Sequence, residues 1–126
     1  MSSRLLLDTH VALWWFSANP RLNAESLEEI AQSECWLSAA SVWEVAIKFK
    51  LGKLPITPTA FLVAANVGGF RLLNITPSHT IATADLPVFH SDPFDRLLLA
   101  QAKLEKLTLI TADNTLLAYG KNVRCL

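Results

Sequence analysis

Arg4-Leu5-Leu6-Leu7-Asp8-Thr9-His10 is the stretch on which the fold turns. Three consecutive leucines are too few for a helix of their own and suit a strand buried on both faces. The strand runs into a carboxylate, Asp8, and a new apolar pattern begins at Val11. An acid at the carboxyl end of a buried strand, just before a helix, stands where open α/β sheets place their ligands. The same acid could equally serve only as the cap of that helix. The rest of the chain has to separate the two.

Working outward, the pattern repeats. Val11 to Ser17 reads as a short helix ended by Asn19-Pro20, and Glu25 to Ser33 as a surface helix. Cys35 to Ser38 fits a second strand. A helix opening at Ser41 stops near Gly52, with Pro55 beyond. Pro58 to Val67 is another helix, Arg71 to Ile75 a third strand and Pro77 to Ala84 a short helix carrying His79 as a polar residue. A long helix then runs from Asp92-Pro93 through Leu104. Leu107 to Thr111 is a fourth strand, leading through Ala112 and Asp113 into a second strand-to-helix junction, and Val123 to Leu126 can add a fifth. Apolar strands alternating with helices predict an α/β domain with a mostly parallel sheet flanked by helices. Right-handed crossovers then bring every strand's carboxyl end to one edge.

That edge collects acids. Asp8 and Asp113 follow strands, while Glu44 and Asp95 fall in the first turns of helices that start there. Each has an ordinary structural explanation. Ser41 and Glu44 have capping-box spacing, Glu44 and Lys48 that of an i,i+4 ion pair, Asp92 is a good N-cap, and Asp95 favours the helix dipole. Four acids sharing one location favour a site. Unit charges about 4 Å apart repel by ~4 kcal/mol at an effective dielectric of 20, so such a cluster is partly protonated or built for a cation. Carboxylates without a His or Cys pattern suit a hard ion, Mg²⁺ or Mn²⁺. His10, His79 and His90 have no zinc-ligand spacing. Water retained by such an ion can attack a phosphodiester. Lys48 and Arg96 can hold the phosphate, or simply neutralise Glu44 and Asp95.

Composition bounds the alternatives. The 126 residues, 52% hydrophobic and 17% charged, predict one undivided domain with a real core. Zero net charge excludes a broad basic field for duplex DNA, so a nucleic acid must be gripped locally. Cys35 and Cys125 lie far apart and read as thiols in a reducing compartment. Neither a secretory signal nor a membrane span is expected, which predicts a cytoplasmic protein. Trp14, Trp15 and Phe16 cannot all face one side of a helix, so at least one should be available to a partner.

Four segments in order, Leu5-Leu-Leu-Asp8-Thr9-His10, Ser41-Val-Trp-Glu44-Val-Ala-Ile-Lys48, Asp92-Pro-Phe-Asp95-Arg96-Leu-Leu-Leu-Ala-Gln-Ala and Thr111-Ala112-Asp113, resemble the motifs of the PIN-domain family, specifically VapC-type toxins of type II toxin–antitoxin pairs. The resemblance spans the chain and implies a three-layer PIN-like fold over residues 1–126. It further implies a metal-dependent endoribonuclease with RNA as substrate, in which Asp8, Glu44, Asp95 and Asp113 hold Mg²⁺ (or Mn²⁺). In that picture Thr9 and Thr111 orient carboxylates or waters, and Asp92 supports from behind. A homodimer and an antitoxin protein covering the site are also implied. A magnesium phosphatase using Asp8 as nucleophile is the competing enzyme, though His10 stands where its second acid is common. A binding module whose acids cap helices or hold a structural ion is the non-enzymatic alternative.

Overall fold

The computed structural model describes residues 3–126. Strand β1 (Arg4–Leu7) lies at the centre of a five-stranded sheet of order β3-β2-β1-β4-β5, where β2 is Glu34–Ser38, β3 Arg71–Leu73, β4 Thr108–Thr111 and β5 Val123–Cys125. All four pairings are parallel. In β1 the pleat sends Leu5 and Leu7 to one face and Leu6 to the other, and all three are buried. Leu5 and Leu7 join Val11, Ile30, Leu37, Val45 and Phe61 in one core, roofed by α1 (Thr9–Phe16), α2 (Ala24–Gln32) and α4 (Pro58–Val67). Leu6 joins Leu98, Leu99, Ala102 and Leu109 in the other, under α6 (Pro93–Glu105). Helix α3 (Ala39–Lys50) feeds both, with Ala40 in one and Val45 in the other. The result is the expected helix–sheet–helix layering.

Connections leaving β1 run to β2 and β3 on one side, while β4 and β5 lie on the other. The order therefore reverses between β1 and β4, whose carboxyl ends open a crevice. Backbone N–H of Asp8 donates to the Ile110 carbonyl at 3.0 Å, so the two strand ends are tied together there.

Several boundaries differ from the sequence expectation for identifiable reasons. Helix α3 begins at Ala39 rather than Ser41, because the Ser38 hydroxyl ends β2 and accepts from Ala40 N–H at 3.0 Å. The capping box expected of Ser41 and Glu44 is thus not formed, and both lie inside the helix. Helix α5 (Pro77–Ala82) is shorter than expected, giving way to a 3-10 turn at Thr83–Asp85. His79, expected only as a polar residue of this helix, is buried. It is 1% exposed, its Nδ1 accepts from Thr76 N–H in a true capping box, and its Nε2 lies 2.8 Å from Glu105. The segment after Asp113 is a 3-10 helix, Asn114–Tyr119. Cys35 and Cys125 are free thiols. No helix of the described residues is long and apolar enough to cross a membrane.

Trp14, Trp15 and Phe16 are each half-buried against the α1-side core. Phe16 packs on Phe61 and Phe70, with ring centroids 5.6 and 5.3 Å away. The strongly exposed aromatics are instead Trp43 and Phe89, at 59% and 60%. Their exposure was not readable from the adjacency of aromatic residues.

Candidate active site

At the crevice between β1 and β4 lies a cleft of about 500 Å³, whose walls include Asp8, His10, Trp14, Glu44, Lys48, Asp92, Asp95 and Asp113. All four acids singled out from the sequence therefore line one cleft, and each arrives on a different element.

Asp8 follows β1 with extended backbone and caps α1, its Oδ1 accepting from Val11 N–H at 2.9 Å. Cap and cleft wall are thus one residue, and the two readings of Asp8 do not compete. It is 7% exposed, and burial raises its pKa above the ordinary 3.8 despite hydrogen bonds from Thr111 and Val11. Thr111, buried at the end of β4, also accepts from Asp113 N–H through Oγ1 at 3.0 Å.

Glu44 sits in the second turn of α3, 8% exposed. Its Oε1 accepts from the Thr9 hydroxyl at 2.6 Å, and that hydroxyl also lies 2.9 Å from Ser41 Oγ. Its Oε2 is 2.9 Å from Lys48 Nζ, so the i,i+4 pair exists and also faces the cleft. The start of α3 is steadied from α6, whose Gln101 Oε1 accepts from the Ser38 hydroxyl at 2.6 Å.

Asp92 caps α6, accepting from Phe94 and Asp95 N–H at 2.8 and 3.1 Å. Asp95 follows in the first turn, with Oδ2 2.7 Å from His90 Nε2. Burial is the main reason its pKa rises to about 6, reinforced by the charges of Asp92 and Asp8 and opposed by the His90 hydrogen bond. Asp113 is more open. Its Oδ1 accepts from Thr115 N–H and Oγ1 at 3.0 and 2.6 Å, and these bonds lower its pKa.

Arg96 does not join the cleft. Its guanidinium donates to the carbonyls of Pro87 and Thr83, both at 2.8 Å, and to those of His90 and Leu86, both at 3.2 Å. It braces the loop between α5 and α6 rather than meeting a phosphate or Asp95. The cleft residues His10, Trp14 and Asn114 were not singled out as site residues by the sequence reading, nor was His90, which meets Asp95 beside the cleft. His90 had a usable signal, lying five residues before Asp95 and two before the Asp92 cap.

Among the described residues, the metal-ligating side chains whose donor atoms all lie within 4.8 Å of one another are His90, Asp95 and Asp113. Asp8 and Glu44 line the same cleft outside that group. A second cleft of about 460 Å³ between α2 and β5 contains Glu25, Glu28 and Glu29, but Glu29 is paired with Arg124.

The family profile described as PIN domain matches residues 5–122. Over 118 residues the chain is 30% identical to Ribonuclease VapC22 of Mycobacterium tuberculosis (strain ATCC 25618 / H37Rv), covering 91% of each protein. Among solved structures, a toxin–antitoxin complex from Klebsiella pneumoniae contains a chain matched with a TM-score of 0.66 and 21% identity over 95% of both chains. A chain of VapBC2 from Rickettsia felis, bound to a promoter DNA fragment, matches with a TM-score of 0.65 and 17% identity over 97% of this chain and 96% of that one. With the sheet order, the crevice and the matched span in agreement, this chain belongs to the PIN domain family.

Proposed function

We propose that this PIN-domain chain is a divalent-metal-dependent endoribonuclease, the toxin of a type II toxin–antitoxin pair, acting as one domain over residues 1–126. The observation that carries the reading is the gathering of Asp8, Glu44, Asp95 and Asp113 in one cleft at the sheet's switch point. The relative named as a ribonuclease and the relatives solved as toxin–antitoxin complexes support it.

The donors fit a divalent cation. Oxygen predominates, no thiolate takes part, and the upward pull on the pKa of Asp8 and Asp95 is the signature of negative charge placed where water is scarce. Mg²⁺ (or Mn²⁺) held by Asp8, Glu44, Asp95 and Asp113 would supply positive charge for a scissile phosphate and lower the pKa of an attacking water. The protein's own groups then have separate tasks. Thr9 fixes the rotamer of Glu44, and Thr111 fixes Asp8 while holding the backbone at Asp113. Lys48 pairs with Glu44 and presents a cation to a phosphate oxygen. Asp92 sets the first turn of α6 and so aims Asp95. RNA is the substrate, gripped locally in the cleft since the chain has no net charge.

An antitoxin protein covers the cleft, a second copy forms a homodimer, and the pair works in the cytoplasm. The test incubates purified protein with labelled total RNA and, separately, with an aryl phosphate, in Mg²⁺, in Mn²⁺ and in EDTA. Cleavage of RNA alone, lost in EDTA, is the expected result. Phosphate release without RNA cleavage would replace this reading with a phosphatase.

A further inference from the structure

We propose that His90 is itself a metal ligand, its ring nitrogen joining Asp95 and Asp113 in a mixed nitrogen–oxygen site that favours Mn²⁺ over Mg²⁺. The inference rests on the reading of this cleft as a divalent-cation site and goes further by naming a non-carboxylate ligand and the ion it selects.

Three observations converge. His90, Asp95 and Asp113 offer donor atoms that all lie within 4.8 Å of one another. One pair, His90 Nε2 and Asp95 Oδ2, is 2.7 Å apart. Ligands at about 2.1 Å and a right angle around one ion stand about 3.0 Å apart. To chelate, the hydrogen-bonded pair has to open by only a few tenths of an ångström, with the proton between them lost or the ring proton carried on Nδ1. Finally, the loop carrying His90 is pinned. Arg96 donates to the His90 carbonyl and to those of Thr83, Leu86 and Pro87, and Tyr119 Oη donates to Pro87 at 2.9 Å. The imidazole is thus presented by a braced turn, with 22% of its side chain open to solvent, as an entering ion requires.

Imidazole nitrogen shifts selectivity because Mg²⁺ takes oxygen ligands and sheds water reluctantly, whereas Mn²⁺ and later divalent ions bind nitrogen more readily. The competing role for His90 is to orient Asp95 by hydrogen bonding without touching the ion.

Pulsed EPR of the full chain loaded with substoichiometric Mn²⁺ separates these. The proposal expects ¹⁴N coupling to the bound ion, replaced by ¹⁵N coupling in protein made with ¹⁵N-histidine. In His90→Gln the coupling should vanish, and the ratio of Mn²⁺ to Mg²⁺ affinity, measured by competition, should fall about tenfold or more. His90→Asn, with its thermal melt, guards against a variant that fails to fold. Bound Mn²⁺ that is weakened by Asp113→Asn but shows no nitrogen coupling would overturn the His90 ligand and leave the acidic site standing. Coupling that survives in His90→Gln would assign the nitrogen to another residue and overturn it equally. A protein that binds no Mn²⁺ would remove the cation site and this inference together.

Discussion

Replacing Asp95 with Asn isolates the charge stored at the cleft. Its pKa rises from the ordinary 3.8 to about 6, first because the carboxylate is buried and then because Asp92 and Asp8 are nearby, with His90 pulling the other way. A carboxyl whose folded pKa is raised binds its proton more tightly in the native state. Its contribution is therefore whole below about pH 4 and is lost as pH rises through about 6. At ~1.4 kcal/mol for each pH unit between those values, the loss is at most about 3 kcal/mol. Asn keeps the size and one acceptor oxygen but cannot ionise. The stability of Asp95→Asn relative to wild type, both in EDTA, should accordingly rise by up to about 3 kcal/mol between pH 4 and pH 7.5. For a domain of this size that is on the order of 10 °C in melting temperature. Comparing the two pH values cancels any constant cost of the altered His90 hydrogen bond. Mn²⁺ at a thousandfold excess over Kd should invert the order at pH 7.5, because an ion binding only the native wild type then adds ~4.1 kcal/mol. The assay is a set of thermal melts at the two pH values, with EDTA and with Mn²⁺. A difference that stays flat with pH, or that falls, would refute the stored-charge account of the cleft.

Asp8→Asn should keep the fold, since the amide oxygen can still accept from Val11 N–H, yet lose at least about a hundredfold in RNA cleavage; near wild-type cleavage with labelled RNA would remove Asp8 from the site. Lys48→Met should cut cleavage moderately while changing stability by only ~0.5 kcal/mol, because an i,i+4 pair contributes little and Thr9 still donates to Glu44; a fully active variant would leave Lys48 a helix-surface residue. Arg96→Ala should cost on the order of 2–3 kcal/mol and open the segment from Thr83 to Asp92 to limited proteolysis, as four carbonyls lose a charged donor. Arg96→Lys should recover little of that, since one ammonium cannot span the same acceptors; an Ala variant as stable and protease-resistant as wild type would contradict the bracing role.

The sheet was legible because its signal is local and repeated. Leu5 to Leu7 and Leu107 to Ile110 are apolar runs that only a doubly covered strand explains, and the helices between them leave parallel pairing as the answer. Residue type and place in the chain also made the acids legible, since each lies at a strand end or in the first two turns of a helix that starts at the same sheet edge. What could not be read is decided by contacts across the fold. Ser38 rather than Ser41 starts α3 because β2 ends on it and Gln101 meets its hydroxyl, a partner sixty-three positions away. Arg96 read equally as a phosphate ligand or a partner for Asp95 because its sequence neighbours are acids, yet its guanidinium turns to the carbonyls of the preceding loop. His79 read only as a polar residue of a short helix, for want of any sign of Glu105 and Gln101 beside it. His90 was passed over because a search for zinc spacing ignores a single imidazole among carboxylates.

The most direct test of the acidic cleft as an RNA-cleaving centre is the initial rate of cleavage of a 5′-labelled RNA as free Mn²⁺ is varied, for wild type and Asp8→Asn side by side. A wild-type rate that rises to saturation with Mn²⁺ and vanishes in EDTA, with Asp8→Asn at least about a hundredfold slower at saturation, is the predicted result. Cleavage that proceeds equally in EDTA, or equally in the two proteins, would contradict it.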